Sequence, residues 1–142
     1  MVGKVPQLSP LERIPHVERY FETYGNAVIA DWLSDQIRNL APATPVVVSG
    51  CRKTEEVLAV RAHLPSAKVV AIHASLADRF RWLTARGRPD APKSMEELFR
   101  LTAWEFNLGL AAISYRASLV AINDDSLDSL WQFVLKVAHS DE

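Results

Sequence analysis

The stretch PVVVSGCRKTEEVLAV, residues 45–60, decides the predicted fold. Its first half is a run of β-branched residues between a proline and a glycine, which is typical of a strand buried on both faces in a parallel sheet. Its second half has the composition of a helix start, with Thr54 as the candidate cap. We therefore predict a strand over 45–51, a glycine turn and a helix over 53–64.

Helices and strands alternate through the rest of the chain. Two further β-branched runs indicate buried strands, and apolar residues recur at helical spacing between them. The predicted strands are 68–74 and 118–124, and the predicted helices are 16–25, 26–42, 75–87, 94–117 with a bend near Gly109, and 126–139. This order predicts a three-layer α/β fold whose small, mostly parallel sheet has about three core strands flanked by helices. We expect one domain over 1–142, with an N-terminal arm at 1–15 and a core at 26–142.

Composition excludes several classes of protein. The 142 residues are 49% hydrophobic with a net charge of −1, which predicts a globular chain without a positive field for nucleic acid. No apolar run reaches the ~20 residues of a membrane helix, and the N-terminus lacks the apolar core of a signal peptide, so we expect a cytoplasmic protein. Cys51 is the only cysteine and the four histidines are scattered, which argues against a disulfide or a zinc site. Eight prolines against five glycines favour a thermophilic source.

Polar residues follow the predicted strands, and in open α/β sheets ligands gather beyond the carboxyl ends of strands. Arg52 follows the first strand, where it is either an anion contact or a surface arginine at a helix start. His73 ends the second strand, either as an acid or base or as a hydrogen-bonded histidine of the core or edge. Cys51 has no base near it in sequence, so we interpret it as a small buried hydrophobe and not as a nucleophile.

The densest basic cluster follows the second predicted strand. Arg79 and Arg86 are seven residues apart and so share a helix face, and Arg88 comes shortly after. Guanidinium forks suit phosphoryl oxygens, while the alternative is a solvated helix face interleaved with acidic residues. Asp124 and Asp125 follow the third strand, where they can hold a metal or form an ordinary turn and helix cap. We favour the cap, and we predict neither a metal nor a cofactor.

Two phosphate-binding motifs are missing from the sequence. It contains no GxxxxGK[ST] phosphate loop and no GxGxxG fingerprint. Such loops cradle phosphates with backbone amides at a helix N-terminus. We therefore expect that these residues alone provide no cradle for a triphosphate.

Three stretches, taken together and in this order, resemble the archaeal P-loop nucleotide-kinase-like family related to dephospho-CoA kinase. They are SGCRKTEEV (49–57), KVVAIHASLADRFRWLTARGRPDAPKSMEEL (68–98) and EFNLGLAAISYRASLVAINDDSLDSL (105–130). The family shows Asp-Gly-x-Arg-x-x-Glu-Glu, Ile-His-Ala-Ser and Arg-Gly-Arg motifs and an Asn that ends the closing strand before a Ser-Leu helix. The matching positions here are Gly50, Arg52, Glu55, Glu56, 72–75, 86–88, Asn123, Ser126 and Leu127. With this resemblance, the candidate phosphate or ligand contacts are Arg52, His73, Arg79, Arg86, Arg88 and Asn123.

The departures from the family pattern set the functional expectation. In the family a strand, a phosphate loop and a helix precede the matched region, and we expect this chain to lack them. Ser49 stands where an acidic residue supports magnesium, and uncharged residues at 101–104 replace most of the charge of the lid helix. We therefore predict a non-catalytic, degenerate kinase-like protein that acts as a structural, regulatory or interaction module. The alternatives are a nucleotide or dephospho-CoA-type kinase subunit completed in trans by a P-loop partner, and a nucleotide or CoA-type ligand sensor.

A missing central strand also predicts a partner. In the resembled fold the phosphate-loop strand lies between the strands that match 45–51 and 68–74. Without it, these strands either pair directly or leave backbone groups that another chain covers. Trp82, Trp104 and Trp131 add apolar surface beyond the needs of three strands, although they can also simply fill the core. We expect a homodimer or a protein partner over the exposed sheet or apolar helix face, and a nucleotide as a weak ligand.

Overall fold

The computed structural model describes residues 8–41, 44–123 and 127–138. In chain order its elements are α1 Pro10–Tyr24, α2 Val28–Arg38, α3 Thr54–His63, β1 Val70–His73, α4 Leu76–Ala85, α5 Met95–Glu105, a π-helical segment Phe106–Leu110, α6 Ala111–Tyr115, β2 Leu119–Ile122 and α7 Leu127–Ala138. The strands β1 and β2 pair in parallel, with Val70 opposite Leu119 and His73 opposite Ile122. The predicted α/β class is confirmed.

The predicted strand over 45–51 is wrong. Residues 44–52 form neither helix nor strand, and no backbone hydrogen bond joins them to β1 in the described part of the chain. The sheet within that part has two strands, not about three. A β-branched run favours a strand, but a strand also needs a neighbour whose backbone completes its hydrogen bonds, and among the described residues no backbone–backbone hydrogen bond reaches 45–51.

Helix α1 begins inside the segment that we predicted to be an N-terminal arm. Ser9 and Glu12 form a capping box, in which the Ser9 N–H donates to Glu12 Oε2 at 2.7 Å and the Glu12 N–H donates to Ser9 Oγ at 3.4 Å. Pro10 at the first helical position needs no hydrogen-bond partner for its nitrogen. These local signals start the helix at Pro10.

Arg13 then joins α1 to the loop after α4 through an ion pair with Asp90 at 3.1 Å.

The long helix predicted over 94–117 bends, as expected, near Gly109. Ser94 caps its start, because the Glu97 N–H donates to Ser94 Oγ at 3.1 Å. Gly109 has a φ of 142°, and a Cβ at this position would lie 2.7 Å from the backbone oxygen of Arg52. The bend therefore lets the backbone at Arg52 and Lys53 pack directly against the helix. This contact fixes where α3 begins relative to α5.

The remaining helix starts follow the predictions with two differences, of which the first is that α2 begins at Val28 and not at residue 26. The Asp78 N–H donates to Ser75 Oγ at 3.0 Å, so Ser75 caps α4 as predicted. Helix α3 begins at Thr54, with Lys53 and not Thr54 at the cap position. Ser126, the predicted cap of the last helix, lies outside the described residues.

Leu98 of α5 is the most deeply buried large side chain of the described core.

Candidate functional site

A cleft of about 700 Å³ brings together four of the six predicted ligand contacts. Arg52 reaches it from the segment before α3, Arg79 from α4, Arg86 from the end of α4 and Arg88 from the loop that follows. Apolar side chains of α1, α2 and α5, including Phe21 and Trp104, form the rest of its wall. We call this space the arginine cleft.

Glu105 of α5 holds two of the four arginines in place. Its Oε1 lies 2.9 Å from Arg52 Nε, and its Oε2 lies 4.0 Å from Arg79 Nη2. The Glu105 side chain is 13% exposed, so this carboxylate is largely shielded from water. Arg79 Nη1 also donates to Thr102 Oγ1 at 3.0 Å, and Arg52 Nη1 donates to the Gly50 oxygen at 3.0 Å. No sequence pattern marks Glu105 as a site residue, because only the fold shows that it faces both arginines.

Arg86 and Arg88 differ from the first two arginines in having no acidic partner among the described residues. Both side chains are exposed at the cleft, and neither forms an ion pair within the described residues. A guanidinium that is not already paired is the best placed to bind an incoming phosphate. These two residues are therefore the strongest candidates for direct ligand contact.

Each carboxylate that lines the cleft already has a partner. Glu56 is only 5% exposed and accepts the backbone N–H groups of Arg52 at 2.8 Å and Lys53 at 3.4 Å, which caps α3. Asp90 pairs with Arg13, and Glu105 pairs with Arg52 as described. Five arginines and these three carboxylates line the cleft, so its charge balance is positive. The arrangement favours an anionic ligand.

His73 and Asn123 do not join the arginines. His73 is exposed at the end of β1 and lines a second groove, while Asn123 lines neither the cleft nor that groove. The Asn123 N–H donates to the His73 oxygen at 2.7 Å, which extends the pairing of β1 with β2. The sequence placed both residues at strand ends correctly. His73 shares the second groove with Arg79, but neither His73 nor Asn123 lines the arginine cleft.

Lys53 is a buried lysine beside the cleft that was not among the predicted site residues. Its Nζ donates to Asn26 Oδ1 at 2.8 Å and lies 4.2 Å from the centroid of the Phe21 ring. A buried ammonium is stabilised when it has both a hydrogen-bond acceptor and an aromatic face. Lys53 thereby connects the start of α3 to the end of α1, next to Arg52.

Cys51 lies beside the arginine cleft but is poorly suited to act as a nucleophile. Burial raises the pKa of its thiol, and the nearby negative charge of Glu56 raises this pKa further. A raised pKa means that less of the thiol is ionised at neutral pH. The raised pKa argues against a nucleophile, as predicted, but the Cys51 side chain is half-buried and not the fully buried hydrophobe that we expected.

We expect Cys51 to react slowly with iodoacetamide in the folded protein at neutral pH. The thiolate is the reactive form, and the raised pKa makes it scarce until the pH is well above the usual thiol pKa. The rate should be several-fold lower than that of the same protein unfolded in urea, and it should rise more steeply at alkaline pH. Faster alkylation of the folded chain than of the unfolded chain would contradict this account.

Two further properties bear on the kind of site. The described residues hold no group of three His, Cys, Asp or Glu side chains arranged for a metal ion, and Asp124 and Asp125 lie outside that part of the chain. Among the described helices, none combines the length and the hydropathy that a bilayer crossing requires. Five arginines line the cleft, and we interpret it as an anion site from their charge.

Curated relatives share much of this sequence. A UPF0200 protein from Pyrococcus abyssi is 33% identical over 108 residues, and one from Pyrococcus furiosus is 34% identical over 112 residues. The chain is similar to archaeal UPF0200 proteins. A third UPF0200 protein, from Hyperthermus butylicus, is 32% identical over 126 residues. No protein-family model matches the chain.

The aligned region makes up a larger share of this chain than of each UPF0200 relative. The matches include 74%, 77% and 89% of this chain but 58%, 60% and 66% of the three relatives, so the chain spans about 60% of their length. The sources of the relatives agree with the predicted archaeal, thermophilic character. The UPF0200 designation states neither ligand nor reaction, so the dephospho-CoA kinase relation, the ligand contacts and the cytoplasmic location stay predictions.

Proposed function

We propose that this chain binds a phosphorylated small molecule in the arginine cleft and does not by itself catalyse a reaction on it. The observation that carries the proposal is the convergence of Arg52, Arg79, Arg86 and Arg88 on one concave space of about 700 Å³. That volume lies within the usual range of small-molecule sites, which is about 300–1,000 Å³. Forked donors on several sides of a cleft suit the oxygens of a phosphate group.

The walls of the cleft favour a ligand with an apolar or aromatic part next to its phosphates. Phe21, Ile29, Trp32 and Leu33 of α1 and α2 line one part of the cleft, and the arginines line another. Trp32 is exposed there and offers an indole face to a planar ring. A nucleotide combines both chemistries, which supports the predicted nucleotide or CoA-type ligand.

The absence of catalysis is supported by the state of the acidic groups. Within the described residues, every carboxylate of the cleft is paired with an arginine or with backbone N–H groups. Ser49, which also lines the cleft, has no charge to offer a magnesium ion. Phosphoryl transfer depends on positioning and on charge neutralisation at the phosphates, and these residues supply only the arginine part.

Isothermal titration calorimetry with ADP, pyrophosphate and adenosine tests the proposed function. ADP should bind most tightly, pyrophosphate more weakly and adenosine most weakly, because only ADP reaches both the arginines and the apolar wall. No heat at about 5 mM ADP would rule the proposal out in practice. The pure chain should also show no magnesium-dependent turnover of ATP, and turnover that Arg86→Ala abolishes would contradict the non-catalytic part.

Replacing Glu105 with glutamine should tighten binding of pyrophosphate about five- to tenfold. The neutral amide no longer competes with the ligand for Arg52 and Arg79, and the positive charge of the cleft rises by one. Asp35→Asn is the matched control, since Asp35 pairs with Arg38 outside the cleft. The calorimetric affinity of the control should stay unchanged. Weaker binding by Glu105→Gln would mean that Glu105 mainly orients the arginines.

A second candidate function is a kinase subunit whose phosphate loop is supplied by a partner. Ser49, Gly50 and Cys51 line both the arginine cleft and the neighbouring groove, so a segment seated in the groove would come close to the arginines. This candidate predicts a co-purifying protein that confers magnesium-dependent ATP turnover on the complex. If the complex binds ADP but does not turn ATP over, the binding function alone remains.

A further inference from the structure

The edge of β2 that faces away from β1 presents unpaired backbone groups. In a parallel pair of strands, the N–H and C=O groups of successive residues point to opposite edges. The Leu119 and Asn123 N–H groups donate toward β1, so the backbone groups of Val120 and Ile122 point to the other edge. No backbone–backbone hydrogen bond among the described residues reaches them there. We call this side of the strand the β2 edge.

The side chains along the β2 edge are apolar and lie largely in water. Val120 is 55% exposed and Ile122 is 65% exposed. Proteins usually protect an open edge with lysine or proline or with a covering segment, and the residues of β2, Leu119–Ile122, include neither lysine nor proline. An open apolar edge of this kind is a template for pairing with another strand.

Helix α7 packs against β2 and adds a second apolar surface next to it. Leu127, Trp131 and Val134 are four and three residues apart, so they share one helix face, and they are 81%, 59% and 43% exposed. We call these three residues the α7 stripe. With Val120 and Ile122 they expose on the order of 600 Å² of mostly apolar surface, the upper end of what a monomer usually leaves in water.

The size of this surface fits a dimer. A stable interface buries about 800 Å² on each partner, so the α7 stripe and the β2 edge with its backbone supply most of the area that one protomer needs. The net charge of the chain is only −1, so electrostatic repulsion between two copies is weak.

The β2 edge is also complementary to itself. Two antiparallel copies related by a twofold axis at Ala121 place Val120 of each copy opposite Ile122 of the other. Each such pair exchanges two N–H···O hydrogen bonds and joins two β-branched side chains, which stabilise antiparallel neighbours. The contact uses the same surface on both copies, so it closes at two and leaves no β2 edge open.

We propose that two copies of this chain form a dimer in which their β2 edges pair antiparallel and their α7 stripes become buried. The pairing joins the two sheets into one continuous sheet across the twofold axis. No residue of β2 or α7 lines the arginine cleft, so the dimer leaves both clefts open. The proposal is therefore independent of the ligand that the arginine cleft binds.

Sedimentation equilibrium and amide hydrogen exchange of the unchanged chain test the dimer. At about 100 μM chain, the mass should be close to twice 15.9 kDa. NMR should show slow exchange of the Val120 and Ile122 amides and fast exchange of the Ile72 amide, which points to the opposite edge of the sheet. A monomer at this concentration would overturn the proposal. So would a dimer that protects Ile72 and leaves Val120 and Ile122 exchanging fast.

Val120→Lys and Ile72→Lys are matched variants for the two edges of the sheet. Both side chains are 55% exposed, and each lies in a four-residue strand. Lysine on an edge strand opposes edge-to-edge pairing, so Val120→Lys should weaken dimerisation about tenfold or more and Ile72→Lys less than twofold. Circular dichroism checks that both variants fold. Equal effects of the two variants would contradict pairing at the β2 edge.

A second matched pair decides the question if a strand variant fails to fold. Trp131 of the α7 stripe and Trp32 of α2 are both 59% exposed, and both lie on helix surfaces. Trp131→Ala should weaken dimerisation about tenfold, because large aromatic side chains dominate the energetics of interfaces, and Trp32→Ala should change it less than twofold. An equal loss in Trp32→Ala, or no loss in Trp131→Ala, would contradict the proposed interface.

Discussion

Replacing Gly109 with alanine should lower the free energy of unfolding by about 3 kcal/mol. The φ of 142° at this position is one that residues with a side chain rarely adopt, which alone costs about 1–2 kcal/mol. The new Cβ would also lie 2.7 Å from the Arg52 oxygen and 3.3 Å from the Lys53 Cα. Both contacts are with backbone, so relief requires a shift of the chain at the start of α3. Urea unfolding followed by circular dichroism measures the loss.

Gly87→Ala is the matched control for this prediction. Gly87 also has a positive φ, of 59°, but a Cβ there would meet nothing within 4 Å. We expect a loss of only about 1 kcal/mol, which is the usual cost of the left-handed conformation. If Gly109→Ala costs no more than Gly87→Ala, the close approach of Arg52 to the bent helix does not stabilise the fold.

Removing both unpaired guanidinium groups should almost abolish anion binding. The double variant Arg86→Ala, Arg88→Ala should bind pyrophosphate about a hundredfold more weakly, since each charge-assisted contact contributes about tenfold. The fold should persist, because both side chains are exposed and neither forms an ion pair within the described residues. Calorimetry gives the affinity, and urea unfolding confirms that stability has not changed.

Two companion variants make this result specific. Arg100→Ala, Arg116→Ala removes the same charge from exposed positions outside the cleft, and it should change the affinity less than twofold. Arg86→Lys, Arg88→Lys keeps the charge without the planar fork and should recover only part of the binding. A similar loss in the Arg100, Arg116 variant would show that only the net charge of the protein matters.

The sequence was sufficient for the parts of the fold that local signals determine. Helix starts followed from Ser75 and Ser94, whose side chains accept backbone N–H groups as predicted. The bend at Gly109 followed from a glycine inside a helical pattern. The α/β class followed from the alternation of helical and β-branched segments, as the parallel pairing of β1 with β2 confirms.

The strand over 45–51 was mispredicted because pairing is not a local property. The run PVVV has a high strand preference, but a strand forms only where a neighbour completes its hydrogen bonds. The α1 start was missed for the opposite reason. Three prolines in residues 1–15 suggested an irregular arm, although Ser9 and Glu12 form a capping box and Pro10 occupies a position that suits proline.

The candidate site was predictable in its residue types and not in its geometry. Arginine spacing indicated that Arg79 and Arg86 share a helix face, and the cleft places them with Arg52 and Arg88. The sequence does not indicate that Glu105 faces Arg52, because the two residues are 53 positions apart and only the tertiary fold brings them together. His73 and Asn123 were grouped with the arginines because all follow strands or start helices, but neither lines the arginine cleft, and His73 meets only Arg79, in the second groove.

NMR of the arginine side chains during a pyrophosphate titration tests the central claim most directly. The Nε–Hε signals of Arg52, Arg79, Arg86 and Arg88 should shift together along one binding curve, with the largest shifts at Arg86 and Arg88. The signals of Arg100 and Arg116, which lie outside the cleft, should stay in place. If the four signals of the cleft do not move, or if those of Arg100 and Arg116 move equally, the arginine cleft is not an anion-binding site.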